Sequence, residues 1–510
     1  MRQLKRILLA SLLVSTTGAT ALAQTKAPPA DESALGEFVV TGVVEEHVPK
    51  IAVLPSLSPA LEDVIVRSVV RRDLELTGLF DVIDDRKAPP GMYGFNDPVD
   101  IKAWQALGAE AIVKVAARTH SPGKVEVLGL AYFLSAGQEP VYETKLVVDS
   151  SKVRVTSHRI TDALLGALTG RPGGFASHFT FSGPWARNRR VFTVDADGHG
   201  LMPQTDPQLT AIAPTWGPNE QVFYTVSTNY SPFRLTRLTP TPAPQEPGST
   251  PALPVAKEIE LPFRGSVYSV DFNKDRTRMA VAIAENGGSS IYVGNPDGSD
   301  LKKVSSTELA THPVFSPSGK LAWIGGSATN GSQRVYLDGK VVSPSGFTAA
   351  APAFCDTEDG IRLVYAVSVG GNRQDLVMAS ERGQGTVRLT QNQGTNAYPA
   401  CSPDGRMLAF FSKRGSEQGL YVMSLKRFRT QKVAGTWGES LRWAALPPET
   451  TAVAGTPKKA APASGSAAAS GSAAASASAP AASSAPAGTA PAAPAASGTA
   501  PGTSSPAAGK

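Results

Sequence analysis

Apolar and polar positions fall into two patterns along this chain, and they change over near residue 172. C-terminal to that point, short strand-like apolar runs recur in pairs, each pair joined by a tight turn. The clearest copies are Pro399-Ala400-Cys401-Ser402-Pro403-Asp404-Gly405-Arg406-Met407-Leu408-Ala409-Phe410 and Pro313-Val314-Phe315-Ser316-Pro317-Ser318-Gly319-Lys320-Leu321-Ala322-Trp323. The large residue before each turn is Trp216, Phe272, Phe315, Phe354, Cys401 and Trp443, at intervals of roughly 39 to 56 residues. A repeat of ~40–45 residues with four strands per unit predicts propeller blades. The longest interval holds residues 239–254, a Pro-rich stretch that cannot be a central strand.

The turns have a mechanical basis. Pro403 presets φ at the second turn position, and Asp404-Gly405 supplies a side-chain acceptor and a residue free to take positive φ. The last copy, Leu441-Arg442-Trp443-Ala444, lacks a following strand, and the first is preceded by orphan strands at 178–182 and 190–194. Pairing the two ends would close the ring and leave no open sheet edge. About six blades follow from this count.

N-terminal to the repeats the period lengthens. Lys50-Ile51-Ala52-Val53-Leu54-Pro55 predicts a buried strand. Ser58 and Pro59 then suit the start of a helix whose apolar face is Leu61, Ile65, Val69 and Leu76, with Gly78 as its stop. Strands are predicted at 111–117, 125–134 and 141–148. A second helix is predicted at 153–168, with Ile160, Leu164 and Leu168 on one face and Gly170 after it. The fold class expected is therefore an α+β N-terminal domain followed by a six-bladed all-β propeller. Its parts are a signal peptide at 1–23, a flexible segment at 24–35, a small α/β domain at 36–172, the propeller at 173–447 and a disordered Ala/Ser/Pro-rich tail at 448–510.

Composition sharpens the two ends. Arg2, Lys5 and Arg6, an apolar run at 7–14 and Ala21-Leu22-Ala23 read as an export signal, too short to span a bilayer. The tail is almost wholly Ala, Ser, Pro, Gly and Thr, which cannot bury enough apolar surface to fold. The formal charge of +6 resides in the two ends, with three basic residues and no acid in the signal and three lysines after Thr450. A neutral body without a basic stripe argues against nucleic acid. Cys355 and Cys401 lie in neighbouring repeats, one residue out of phase. Pairing stays open in an exported chain, although strand alternation favours two buried thiols.

Catalytic and metal motifs are not found. The six histidines, His47, His120, His158, His178, His199 and His312, show no ligand spacing. Gly415-Ser416-Glu417-Gln418-Gly419 misplaces the serine of a nucleophile elbow. Asp195-Ala196-Asp197-Gly198 reads as a hairpin turn rather than a calcium loop. No cofactor and no metal are expected. A propeller enzyme acting on envelope glycans or peptides stays open, because such sites are assembled across blades. Converging acidic or histidine side chains in the channel would favour it, whereas small and apolar lining groups would favour a binder.

Taken together, these residues resemble the TolB family. Pro49-Lys50-Ile51-Ala52-Val53-Leu54-Pro55 opens the small domain. Asp73-Leu74-Glu75-Leu76-Thr77-Gly78-Leu79-Phe80 is similar to the family's D-L-x-x-S-G-x-F, and Trp104-Gln105-Ala106-Leu107-Gly108-Ala109-Glu110-Ala111-Ile112-Val113 to its W-x-x-L-G-x-D-A-V-V. The resemblance covers about 36–446. It implies a periplasmic, non-enzymatic component of the Tol–Pal system, whose propeller binds the peptidoglycan-associated lipoprotein Pal and whose N-terminal segment recruits a TolA-like inner-membrane protein. By position only, the loops before the inner strands would supply Arg264, Thr311, His312, Asn396 and Tyr398 to the partner-facing rim. Two departures stand out: a longer Pro- and Ala-rich stretch before Gly36, and the low-complexity tail. Glu37-Phe38-Val39-Val40-Thr41-Gly42-Val43 looks like the family's first strand and could extend a partner's sheet or serve as an internal strand. An unrelated envelope scaffold with the same fold is the remaining alternative.

Overall fold

The structure, a computed structural model, describes residues 32–35 and 47–448 except 57, 92, 229–230, 243–251 and 328–331. The signal at 1–23, the possible strand at 37–43, most of the Pro-rich loop and the tail beyond 448 lie outside the described residues. No helix among the described residues is long and apolar enough to cross a membrane.

The N-terminal domain is a five-stranded sheet carrying two long helices. Its elements are β1 (Lys50–Val53), α1 (Leu61–Thr77), β2 (Asp81–Val82), α2 (Ile101–Ala106), β3 (Ala111–Ser121), β4 (Lys124–Phe133), β5 (Tyr142–Asp149) and α3 (Val153–Thr169). The sheet order is β2-β1-β3-β4-β5. β1 is parallel to both neighbours, and the β3–β5 pairs are antiparallel. Val66, Val70 and Leu74 of α1 and Ile160, Leu164 and Leu165 of α3 pack on Ile51, Val53, Val113 and Val115.

The expected α1 face is met in part, with Val69 and Leu76 buried and Ile65 half-buried. The helix starts at Leu61 behind Ala60 without a side-chain cap, and Leu61 is 69% exposed. The buried stripe adds Val66, Val70 and Leu74 to Val69 and Leu76 and includes Asp63 and Asp73. Both are polar positions that sequence periodicity discounts. They tolerate burial because Asp63 accepts the Ala117 amide at 2.6 Å and Asp73 pairs with His158. The helix stops as expected: Gly78 takes φ 62°, which a β-carbon would resist. α2, not expected as a helix, is capped by Asp100, whose carboxylate accepts the Ala103 amide, and it buries Trp104.

The remainder is a propeller-like ring of antiparallel sheets. The first strands are β6 (Ser177–Trp185), β7 (Asn188–Asp195) and β8 (Met202–Pro203). Next come β9 (Thr210–Trp216), β10 (Val222–Ser227), β11 (Arg234–Leu238) and β12 (Lys257–Glu258). The third set is β13 (Val267–Phe272), β14 (Met279–Glu285), β15 (Gly288–Gly294) and β16 (Lys302–Lys303). The fourth is β17 (Leu309–Phe315), β18 (Leu321–Gly326), β19 (Gln333–Leu337) and β20 (Lys340–Val341). β21 (Ala349–Thr357), β22 (Gly360–Ser368), β23 (Gln374–Ser380) and β24 (Val387–Arg388) share one sheet with β25 (Thr395–Cys401), β26 (Met407–Arg414), β27 (Glu417–Ser424) and β28 (Thr430–Ala434). These two meanders are linked by the single pair Gln374↔Thr395. The final strand, β29 (Glu439–Ala445), pairs with β6, Trp443 opposite Phe179, so the C-terminus completes the sheet that the first strands begin.

Each periodic large residue of the sequence sits in an innermost strand: β9, β13, β17, β21, β25 or β29. Each inner strand lies beside the next, and β29 lies against β9, closing the circle. Neighbouring sheets are glued by apolar clusters, such as Phe223, Leu235, Val270, Phe272 and Val281 between the β9–β12 and β13–β16 sheets. The hairpin Pro403-Asp404-Gly405 behaves as its residues dictate. Gly405 has φ 72°, its amide bonds the Ser402 carbonyl at 2.9 Å, and a β-carbon there would meet the Asp356 carbonyl oxygen at 1.9 Å.

Cys355 and Cys401 form a disulfide, with Cα atoms 5.2 Å apart, which corrects the expectation of two free thiols. The half-period offset was right and its consequence was not. Successive propeller sheets meet through opposite faces, so side chains aimed at opposite faces of neighbouring sheets point toward each other. The bond sits in the apolar layer with Val364, Leu376, Leu408 and Phe410.

Candidate protein-binding site

Every inner strand carries a bulge, in its first half or at its middle. The displaced residues are Ala213, Tyr268, His312, Ala351, Tyr398 and Ser440, each at a register shift in its ladder. All but Tyr268 sit at positive φ, between 48° and 54°. Four precede proline (Pro214, Pro313, Pro352 and Pro399), which removes an amide from the ladder and fits only where pairing is already interrupted. Left-handed non-glycine residues cost roughly 1–2 kcal/mol each. Their repetition at one level of the ring makes them a feature that re-aims side chains.

These bulges lie at the end of the ring away from the N-terminal domain. Inner strands run from the bulges toward the 1→2 hairpins, and the 3→4 hairpins of the antiparallel meanders share that far end. The N-terminal domain touches those hairpins. Arg171 Nη2 donates to the Asp404 carbonyl at 3.0 Å, Arg406 Nη2 to Thr169 Oγ1 at 2.9 Å, and Arg154 binds Asp195 at 2.9 Å and also Asp197. Among the described residues of the N-terminal domain, these contacts fall at the hairpin end.

Four of the five expected rim residues, Arg264, Thr311, His312 and Tyr398, keep some access to solvent. Arg264 is exposed in the loop before β13. His312 and Tyr398 are partly exposed on their bulges. Burial, reinforced by Arg442, pushes the His312 imidazole down to about 4, so it is neutral at neutral pH. Its amide donates to Ser269 Oγ at 3.1 Å. Burial, then Glu439, pushes the Tyr398 phenol up to about 12; its hydroxyl reaches Glu439 Oε2 at 3.4 Å, and Glu439 also holds Arg189 at 3.0 Å. Thr311 is spent on the His312 ring, its hydroxyl 3.1 Å from Nδ1. Asn396 must be withdrawn from the rim: it is 0% exposed, accepts from Ser412 at 2.8 Å and donates to the Gln374 carbonyl at 3.3 Å. Tyr268, 39% exposed, was missed. It lies four residues before Phe272, whereas His312 and Tyr398 lie three before their marker residues, so aligning the repeats by the marker skips it.

Deeper along the inner strands lies a charged cluster. Asp271 accepts the Phe315 amide at 2.8 Å and the Thr215 hydroxyl at 3.2 Å, and Arg442 Nε stands 3.8 Å away. Burial raises the Asp271 carboxyl despite Arg442. With both carboxylate oxygens engaged, Asp271 is a structural anchor rather than a free base. Residues 32–35, expected to be flexible, form a short 3₁₀ turn on the ring. Leu35 is 0% exposed among Ile324, Val335, Leu363 and Val377, and Glu32 pairs at 2.9 Å with Arg388, itself held by Asp375.

Comparison with known proteins adds a family to this geometry. The family described as the TolB amino-terminal domain matches residues 37–129. The Tol-Pal system protein TolB of Anaeromyxobacter dehalogenans is 28% identical over 250 residues, 47% of this chain and 52% of the relative. That of Dinoroseobacter shibae is 29% identical over 182 residues, 35% of this chain and 40% of the relative. The chain spans about half the length of the curated relatives it matches, or less. The crystal structure of TolB from Acinetobacter baumannii shares the fold: its TM-score is 0.63 at 21% identity, over 78% of this chain and 97% of that one.

Proposed function

We propose that this chain, which resembles TolB in its amino-terminal domain and in its ring of sheets, is the protein-binding component of a Tol–Pal system in the periplasm. In this reading the export signal is residues 1–23. The α+β domain is 36–172, and 173–447 is a propeller of six blades, the eight-stranded sheet counting as two. The low-complexity tail follows from 448. The propeller binds a Pal-like peptidoglycan-associated lipoprotein and takes part in linking outer membrane, peptidoglycan and inner-membrane Tol proteins during constriction. The segment around 37–43 is the candidate for a TolA-like partner.

One observation carries the reading: the ring of bulged inner-strand residues, with Tyr268, His312 and Tyr398 at the mouth opposite the N-terminal domain. Aromatic groups on a rigid scaffold are favoured anchors for a protein partner. Acidic and histidine groups do converge along the channel, which was the signature set for an enzyme. Asp271, however, has both carboxylate oxygens engaged, and His312 has Nδ1 against Thr311. Binding without chemistry fits this arrangement.

Calorimetric titration of the mature chain with the soluble domain of the same organism's Pal-like lipoprotein tests it. Saturable one-to-one binding is expected. Tyr398→Ala and Tyr268→Ala should each weaken it by on the order of 2 kcal/mol, about thirtyfold. Heatless mixing, with no co-elution at high concentration, would remove the Tol–Pal assignment.

A further inference from the structure

The bulge end of the ring carries cations that the chain itself does not answer. Hairpins joining the second and third strands of each meander meet there with the loops that precede the inner strands. The β6–β7 hairpin reaches furthest into the argument. Ser182 pairs with Glu439, the first residue of β29, and β6 runs on through Gly183 and Pro184 to Trp185 before turning back. Trp185 is 45% exposed at that tip, with the Arg190 guanidinium carbon 4.8 Å from its ring centre and Ala186 beside it at φ 52°.

Charge around this end is one-sided. Among the described residues, Arg187 on that hairpin, Arg264 before β13 and Lys413 near the end of β26 are exposed, and their side chains make no ion pair or hydrogen bond. Arg234, Arg373 and Arg414 hydrogen-bond neutral groups: the Arg264 carbonyl at 3.3 Å, Asn392 Oδ1 at 2.6 Å and Ser412 Oγ at 3.0 Å. The carboxylates of the same end are already claimed. Lys303 holds Glu285 at 2.6 Å, Lys432 holds Glu417 at 2.9 Å, and Arg189 holds Glu439 at 3.0 Å. Asp206 accepts the Gln208 amide at 2.7 Å, and Glu308 the Ser327 hydroxyl at 2.8 Å.

We propose that this mouth reads an acidic protein face, whose Asp and Glu carboxylates meet Arg187, Arg264 and Lys413 while an apolar or aromatic group seats against Trp185. The inference rests on the reading of the mouth as the partner-binding face and adds the chemistry of that partner. Guanidinium forks match carboxylates, and Trp, Tyr and Arg are the residues that anchor protein interfaces. The free cations stand singly on separate sheets of the ring rather than in a stripe, which suits scattered carboxylates on a folded face and not a continuous phosphate backbone. Rim charges act on encounter, whereas Trp185, covered only after docking, governs release.

The test is stopped-flow association of the mature chain with the soluble domain of the same organism's Pal-like lipoprotein, at about 50 and about 500 mM sodium chloride. The association rate should fall on the order of tenfold between the two. The triple variant Arg187→Glu/Arg264→Glu/Lys413→Glu should fall by a similar factor at low salt and lose most of the salt dependence. Trp185→Ala should speed dissociation on the order of tenfold. Lys274→Glu, at the hairpin end where Lys274 faces Asp356 at 3.5 Å, should change neither rate. Binding that persists with rates indifferent to salt and to the triple variant overturns this inference and leaves the proposed function standing. If the lipoprotein does not bind at all, the proposed function falls, and retention on immobilised poly-L-glutamate decides this inference: retention lost in the triple variant upholds it, and no retention overturns it. Triple-sensitive binding to phosphatidylglycerol vesicles with none to poly-L-glutamate would mark a membrane-facing patch and overturn it as well.

Discussion

Asp73→Ala is expected to cost the N-terminal domain roughly 3–5 kcal/mol, the range for removing one partner of a buried ion pair. The loss arises less from the bond itself than from what remains: a buried imidazole with no counter-charge. Burial alone would depress His158, but Asp73 outweighs it and holds the ring at about 9. Burial raises Asp73 as well, so the pair keeps a proton across neutral pH. Because the folded value lies above the ordinary 6.5, this stabilisation is complete below pH 6.5. It is lost as pH rises toward 9, on the order of 3 kcal/mol. Denaturant unfolding of the chain between pH 6 and 9 reads both effects. Wild type should weaken as pH rises through that window. Asp73→Ala should start lower and not decline, because burial then keeps the His158 ring neutral, and an equally steep decline in the variant would refute the assignment to this pair.

The second large effect concerns the bridge between β21 and β25. It closes a sequence separation of 46 residues, for which chain entropy predicts a contribution of about 4 kcal/mol. The double variant Cys355→Ala/Cys401→Ala should fold and lose that amount from the propeller transition. The bond joins successive inner strands, so its loss should also loosen the ring where β25 carries Tyr398. Thiol titration of the denatured, unreduced wild-type chain is the check: no reactive thiol is expected, and two would contradict the bond.

The parts legible in the sequence were those fixed by local chemistry and by repetition. Turn residues such as Gly405, the helix stop at Gly78 and the marker residue late in each inner strand all have causes within a few positions, and ring closure followed from counting the strands at the two ends. What escaped depends on neighbours distant in the chain. The buried face of α1 is wider than expected because Asp73 is compensated by His158 and Asp63 by Ala117. The cysteine pairing was misjudged because alternation within a strand was followed without asking which faces of adjacent sheets meet. Asn396 was placed on the rim because a loop-adjacent polar residue looks available, until Ser412 and Gln374 claim it. The bulges have a faint signal, the recurring X-Pro pair at Ala213-Pro214, His312-Pro313, Ala351-Pro352 and Tyr398-Pro399, which was present in the repeats and not drawn out.

The central claim is that a lipoprotein partner seats on the bulged mouth of the ring, away from the N-terminal domain. Hydrogen exchange of the mature chain with and without the soluble domain of its Pal-like lipoprotein tests this most directly. Protection is expected in the peptides spanning residues 264–269, 310–314, 396–400 and 438–441, with no change at the hairpins around Asp404 and Asp197. Protection confined to those hairpins, or none at all under saturating partner, would contradict it.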